Sequence, residues 1–244
     1  MFSLKKVQLP KIDWKKLPYY QISIFVFLIV IIVLLLVLIG QNNGQEKSGT
    51  IKNPFDIQVS DTDNFVFLGD SITDFYPLEE FYDNLPVVNS GISGYKTTDI
   101  LSRIDSMVAI YNPTKVFLLI GTNDIQNNKS EDEIVNNIKK IIDKIHEVRP
   151  KTKIYLESLL PVNKSDDSKI NHDMVGKREN KTIQSINKKL KKYAEEENIT
   201  FINLYDEFVN DNNEMTLKYT EEGLHLSSLG YLKLTNILLP YLQD

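Results

Sequence analysis

Three short segments carry residue types that together could move an acyl group. Gly69-Asp70-Ser71-Ile72-Thr73 offers a hydroxyl, Gly121-Thr122-Asn123-Asp124 offers a side-chain amide, and Glu222-Gly223-Leu224-His225-Leu226-Ser227 sets a carboxylate three residues before a histidine. A hydroxyl nucleophile, a base to take its proton, a carboxylate to orient that base and an amide donor for a developing oxyanion are the parts of acyl transfer. Each residue also has an ordinary structural reading. Ser71 could be a helix N-cap, a frequent place for serine. His225 could be a loop histidine, and Gly91 merely a turn glycine. Of the other two histidines, His146 lies beside the apolar stripe of an amphipathic helix and His172 in a polar loop, neither with a suitable partner nearby in sequence. Asp166, Asp167, His172 and Asp173 could be imagined as a metal cluster, but their lysine- and asparagine-rich loop argues for a solvated one. The Gly-x-Ser-x-Gly elbow of α/β-hydrolases is absent.

Four blocks in order carry a resemblance. They are Gly69-Asp70-Ser71, then Val88-Asn89-Ser90-Gly91, then Gly121 to Asp124, then Glu222 to His225 followed by Leu226-Ser227-Ser228-Leu229-Gly230-Tyr231. From about Asn64 to the C-terminus the chain resembles the SGNH hydrolases, also called GDSL esterases/lipases. It is most similar to bacterial acylhydrolases related to platelet-activating-factor acetylhydrolase. The resemblance implies a three-layer α/β/α sandwich and a serine esterase that works through an acyl-enzyme without cofactor or metal. It makes Ser71 the nucleophile, His225 the base and Glu222 the orienting acid. It places the Ser71 N–H, Gly91 and Asn123 in the oxyanion hole, with Asp70 and Asp124 bracing the loops. The family's usual aspartate is a glutamate here. The neighbouring Glu221, or a main-chain carbonyl, stands as an alternative orienter. The implied substrates are carboxylic esters, short acyl or acetyl esters of envelope glycan or of lipid. The alternatives are an O-acetyltransferase using the same residues and a catalytically silent ligand-binding surface module.

The elements needed to position these residues are legible. Short apolar runs at 65–68, 87–88, 116–120, 154–156 and 201–204 read as buried strands. Helical spacing joins Ile100, Ile104, Met107/Val108 and Tyr111. It also joins Ile134, Ile138, Ile141, Ile145 and Val148, with Ser130 and Glu133 as a capping box and Pro150 past the end. Ile183, Ile186, Leu190 and Tyr193 make a third helix, and a fourth covers about 227–242. Alternating strands and helices predict an α/β fold, a mostly parallel five-stranded sheet covered on both faces. In such sheets functional groups collect beyond the carboxyl ends of the strands. Ser71, Gly91 and Asn123 each follow one of the first three strands.

The chain has 244 residues, one domain and an appendage. Residues 19–39 are almost wholly apolar and long enough to span a bilayer. Before them, 1–18 carry five lysines against Asp13, a net +4, with Trp14, Tyr19 and Tyr20 at the interfacial position. This asymmetry predicts an uncleaved single-pass anchor with a cytoplasmic N-terminus, a linker over 40–63 and an extracytoplasmic domain over 64–244. The whole chain carries −5, which leaves −9 after Pro18 and argues against nucleic acid as a partner. Its partners would be an ester substrate and, through the N-terminal helix, the membrane. The absence of cysteine excludes disulfides and thiolate metal sites, and suits a cell surface. Nothing in the sequence bears on oligomeric state.

Overall fold

The computed structural model describes residues 62–243. The basic segment 1–18, the expected membrane span 19–39 and nearly all of the 40–63 linker lie outside the described residues. Among the described residues no helix is long and apolar enough to cross a membrane.

The five apolar runs form the strands β1 (Phe65–Gly69), β2 (Val87–Gly91), β3 (Lys115–Leu119), β4 (Lys153–Glu157) and β5 (Thr200–Ile202). They lie in the order β2-β1-β3-β4-β5, and every pairing is parallel. Parallel pairing requires crossover connections, which the intervening helices provide. These are α1 (Ser71–Asp74), α2 (Leu78–Phe81), α3 (Thr97–Leu101), α4 (Ile104–Met107), α5 (Thr122–Gln126), α6 (Glu131–Val148), α7 (His172–Val175), α8 (Asn180–Glu196), α9 (Leu204–Phe208) and α10 (Ser228–Gln243). β1 and β3 are buried at every position, so both faces of the sheet centre are covered, as a parallel sheet demands.

The register aligns Phe67, Phe117 and Tyr155 in one row across β1, β3 and β4. Their rings stack at 4.8 and 4.7 Å. Tyr76 and Tyr82 pack on Phe67, and Tyr241 of α10 meets Tyr155 edge-on at 5.6 Å. Lys115, charged yet buried, donates to the carbonyls of Tyr241 and Leu242 at 3.1 and 2.7 Å. It thereby satisfies acceptors that the end of α10 would leave orphaned.

Three local expectations are corrected. The spacing from Ile100 to Tyr111 predicts one helix, but the segment folds as α3, α4 and a 3-10 turn over Ala109–Tyr111. Ile100, Ile104, Met107 and Val108 are still buried. The break falls at Ser102, whose hydroxyl donates to the Asp99 carbonyl at 2.8 Å and competes with the helical ladder. At the start of α6, Ser130 Oγ accepts the Glu133 N–H, but the Glu133 carboxylate pairs with Lys129 at 2.7 Å instead of closing the box. The fifth strand ends at Ile202, because Asn203 is the N-cap of α9.

The chain order of the strands reverses beside β1, between β1 and β3. That is where an open parallel sheet leaves a crevice beyond its carboxyl ends. α1 and α5 begin there, directly after β1 and β3.

Candidate active site

Ser71 occupies the first position of α1, and the N-cap is Asp70, whose Oδ1 accepts the Ile72 N–H at 3.1 Å. The ordinary reading of Ser71 as a cap is therefore overturned: the preceding residue does that work and the Ser71 hydroxyl is free to face outward from the sheet. Ser71 is 6 % exposed. α1 is held from two sides. Tyr231 Oη donates to the Ile72 carbonyl at 2.9 Å, and Asn89 Nδ2 donates to the Thr73 and Tyr76 carbonyls at 2.8 and 3.1 Å.

Ser71 Oγ lies 2.9 Å from His225 Nε2, and His225 Nδ1 lies 2.5 Å from Glu222 Oε1. Serine and histidine are 154 residues apart in sequence. The turn that carries the acid and the base is braced along its length. Thr220 Oγ1 accepts the Gly223 N–H at 2.7 Å and donates to the His225 carbonyl at 2.8 Å. Asn171 N–H donates to the Glu222 carbonyl, and Asn163 N–H to the Gly223 carbonyl, both at 2.8 Å. Gly223 has φ +106°, and a Cβ there would lie 2.6 Å from the Asn163 carbonyl oxygen, so glycine is required twice over. Glu221 is exposed, and the carboxylate in contact with the imidazole is that of Glu222. Burial pushes the Glu222 carboxyl up, but its hydrogen bonds to the His225 ring and backbone, with the nearby imidazole charge, outweigh that and hold it below the usual glutamate value. The Phe75 ring tilts against the imidazole at 5.2 Å and is itself 53 % exposed.

Gly91 ends β2 and Asn123 follows β3, the strands that flank β1 on either side. A Cβ on Gly91 would come within 2.2 Å of the Asp74 backbone nitrogen. Glycine lets the strand end pack against the backbone of α1. The Gly91 N–H donates to Asn89 Oδ1 at 2.9 Å, so its availability to an oxyanion depends on sharing or releasing that bond. Asn123 lies in the first turn of α5. Its Nδ2 donates to the Tyr95 carbonyl at 3.0 Å, which leaves the amide a second N–H. Its Oδ1 accepts from Arg178 Nη2 at 2.9 Å.

The two aspartates brace the surrounding loops. Buried Asp124 accepts the Thr97 N–H at 2.9 Å and the Thr97 hydroxyl at 2.6 Å, tying α5 to α3. Asp70 is fully buried, and burial pushes its carboxyl up to about 7 against the opposing Ile72 hydrogen bond and the Arg178 and His225 charges. Beside it lies a cavity of about 10 Å³, lined by Asp70, Ile72, Leu119, Thr122 and Leu224 among others, room for one water at most.

The fold thus assembles Ser71, Gly91, Asn123, Glu222 and His225 at one end of the sheet, with Asp70 and Asp124 beneath. His146 and His172 are exposed and take no part. Sequence reading missed Arg178 and Asn89. Arg178 is one of only three arginines, in a loop otherwise rich in lysine. Asn89 stands inside the Val88–Gly91 block and joins α1 to β2.

Comparison with known proteins agrees with this geometry. Residues 67–233 match the GDSL-like lipase/acylhydrolase family. A Streptococcus pneumonia protein provisionally described as a platelet activating factor shares 34 % identity, with a TM-score of 0.69 over 86 % of this chain and 98 % of that one. A GDSL-like lipase from Bacteroides thetaiotaomicron shares 26 % identity, with a TM-score of 0.67 over 76 % of this chain and 90 % of that one. An Escherichia coli N-acylneuraminate cytidylyltransferase is 31 % identical over 191 residues, which are 76 % of this chain, and the chain spans only 41 % of that protein's length. With its matched region carrying the Ser71 block, the Asn123 block and His225, the chain belongs to the GDSL-like lipase/acylhydrolase family, a family of serine ester hydrolases.

Proposed function

We propose that this chain is a serine esterase that hydrolyses carboxylic esters, short acyl or acetyl esters of envelope glycan or lipid, through an acyl-enzyme on Ser71. The observation that carries the reading is the continuous relay from Ser71 Oγ to His225 Nε2 and from Nδ1 to Glu222. His225 takes the hydroxyl proton as Oγ attacks the ester carbonyl, and Glu222 stabilises the imidazolium that results. Negative charge on the former carbonyl oxygen is met by the Ser71 N–H, the second Asn123 N–H and the Gly91 N–H once it is released from Asn89. Collapse breaks the ester C–O bond, and the departing alkoxide takes the proton from His225. Water, deprotonated by the same histidine, then attacks the acyl-enzyme and releases the carboxylic acid and Ser71.

Within the family we place the chain on the branch related to platelet-activating-factor acetylhydrolase, supported by the four blocks and by the 34 % identity to the Streptococcus pneumonia protein. The +4 flank over 1–18 and the apolar run 19–39 support a membrane-anchored enzyme with its catalytic domain outside the cell. Protease treatment of whole cells should then remove the domain; complete resistance would refute that topology.

The test of the chemistry is Ser71→Ala. It should abolish turnover of a chromogenic acetate ester and labelling by a fluorophosphonate probe, with the thermal transition preserved. Persistent labelling would move the nucleophile elsewhere. Release of acetate into water, measured against transfer to an added glycan, separates hydrolysis from O-acetyl transfer.

A further inference from the structure

The two ends of an asparagine side chain are nearly isosteric. An oxyanion hole built on one needs something that fixes which end faces the substrate. If the amide turned over, its oxygen would meet the oxyanion and repel it.

Here both ends are assigned by their neighbours. Arg178 carries donors and no acceptor, so the Asn123 atom it contacts at 2.9 Å must be oxygen. The Tyr95 carbonyl accepts and cannot donate, so the atom facing it at 3.0 Å must be the Nδ2 donor. The guanidinium is itself immobilised. Nε donates to the Thr122 carbonyl at 3.1 Å and to Thr122 Oγ1 at 2.9 Å. Nη1 donates to the Met174 and Val175 carbonyls at 3.1 and 3.0 Å and reaches Gln126 Oε1 at 3.4 Å. Arg178 is 3 % exposed; burial lowers its pKa, and the Asp70 and Glu222 charges oppose that shift. Its other bonds tie the 174–178 turn to α5. The Nη2 bond alone is aimed at a residue of the candidate oxyanion hole.

We propose that Arg178 is the positioning residue of the oxyanion hole, locking the Asn123 amide with Nδ2 toward the substrate and holding a fixed positive charge behind it. The chain Arg178 Nη2–H to Asn123 Oδ1, and Asn123 Nδ2–H to the oxyanion, polarises the amide in the direction that strengthens donation as charge develops. A guanidinium suits this place because its planar fork serves Thr122 and Asn123 together. The inference rests on the reading of Asn123 as an oxyanion donor, and its test separates the two.

Asn123→Ala, Arg178→Lys and the double variant are made in the full chain and assayed with a chromogenic acetate ester. Asn123→Ala should lower kcat by on the order of 10²-fold, the usual cost of one oxyanion donor, with little change in KM. Arg178→Lys should lower kcat by about 10–10²-fold, again with KM held, the range expected for loss of a hydrogen bond from a charged donor. The double variant should be little worse than Asn123→Ala, because the positioning role of Arg178 is exercised through that amide. Arg178→Ala should regain part of the lost kcat with added guanidinium at millimolar concentration and none with ammonium. A structural role alone would lower the melting temperature without that pattern. If Arg178→Lys fails to fold, Asn123→Asp reads the same contact. A carboxylate facing Arg178 should abolish activity while keeping the melting temperature at or above that of Asn123→Ala.

An unchanged kcat in Asn123→Ala overturns the oxyanion reading, and the inference with it. A loss in Asn123→Ala combined with multiplicative losses in the double variant, or with no loss in Arg178→Lys, overturns the inference alone. An Asn123→Asp protein that melts below Asn123→Ala does so as well.

Discussion

At the scale of single residues, the distinguishing feature is a glutamate where the family's pattern has an aspartate. Glu222 Oε1 sits 2.5 Å from His225 Nδ1, so the loop has taken up the extra methylene and brought the carboxylate into contact. Glu222→Gln keeps the shape and removes the charge that stabilises the imidazolium. Activity on an acetate ester should fall by up to about 10⁴-fold, the cost of neutralising the acid of a serine-protease triad. Glu222→Asp leaves the carboxylate short of the ring and should fall between glutamine and glutamate. Glu221→Gln, altering an exposed side chain, should be close to wild type. If both Gln variants retain full activity, a main-chain carbonyl orients the histidine and Glu222 is a bystander.

At the scale of elements, the site depends on short turns that close against one another. The 220–225 turn is pinned by Asn163, Asn171 and Thr220, and its reversal needs the positive φ of Gly223. Gly223→Ala meets two penalties: a conformation that L-residues resist, and a Cβ driven to 2.6 Å from the Asn163 oxygen. Strain of this kind costs on the order of 1–3 kcal/mol, and relief requires moving Glu222 or His225. A lower melting temperature together with a kcat reduced by at least about tenfold is therefore expected. A variant that melts and turns over like wild type would show that the turn adapts without disturbing the relay. This turn was only partly legible in sequence. The Glu-x-x-His spacing announced an acid and a base, and the glycine between them announced a bend. The partners Asn163 and Asn171 lie more than fifty residues away and carry no local signal.

For the molecule as a whole, buried carboxyls set how stability varies with pH, and among the described residues burial raises Asp70, Asp124 and Glu157. Asp70 rises to about 7 and Glu157 to about 8, from ordinary values of 3.8 and 4.5. These two keep protons in the folded state that the unfolded chain releases. Their favourable contribution is complete below about pH 4 and is lost as pH rises through 7 and 8. Glu222, Glu131 and Asp132 are shifted downward, so their contribution is lost at the acid end instead. Maximum stability is thus expected near pH 5, with the melting temperature falling toward pH 8. Glu157→Gln should flatten that fall and raise the melting temperature at pH 8 by several degrees, since about 1 kcal/mol corresponds to roughly 2–4 °C in a domain of this size. An unchanged slope between pH 5 and 8 in thermal unfolding scans would rule out Glu157 as its source.

The sequence by itself determined the strand runs, a mostly parallel sheet, and Ser71 and His225 as candidate nucleophile and base, with Glu222 and Glu221 both open as the acid. These follow from short-range signals: apolar runs of strand length, helical spacing between them, and motif residues placed directly after strands. It also carried the helical spacing of 100–111, and there it misled, because burial of Ile100, Ile104 and Met107 is met equally well by short turns broken at Ser102. Tertiary structure alone decided the choice of Glu222 over Glu221, Asp70 rather than Ser71 as the cap, the engagement of the Gly91 N–H by Asn89, and the clamp of Arg178 on Asn123. Each is a choice among chemically equivalent donors or acceptors. Such a choice is made by which group lies within about 3 Å once chain segments distant in sequence have been packed together, and no periodicity or motif spacing encodes that distance.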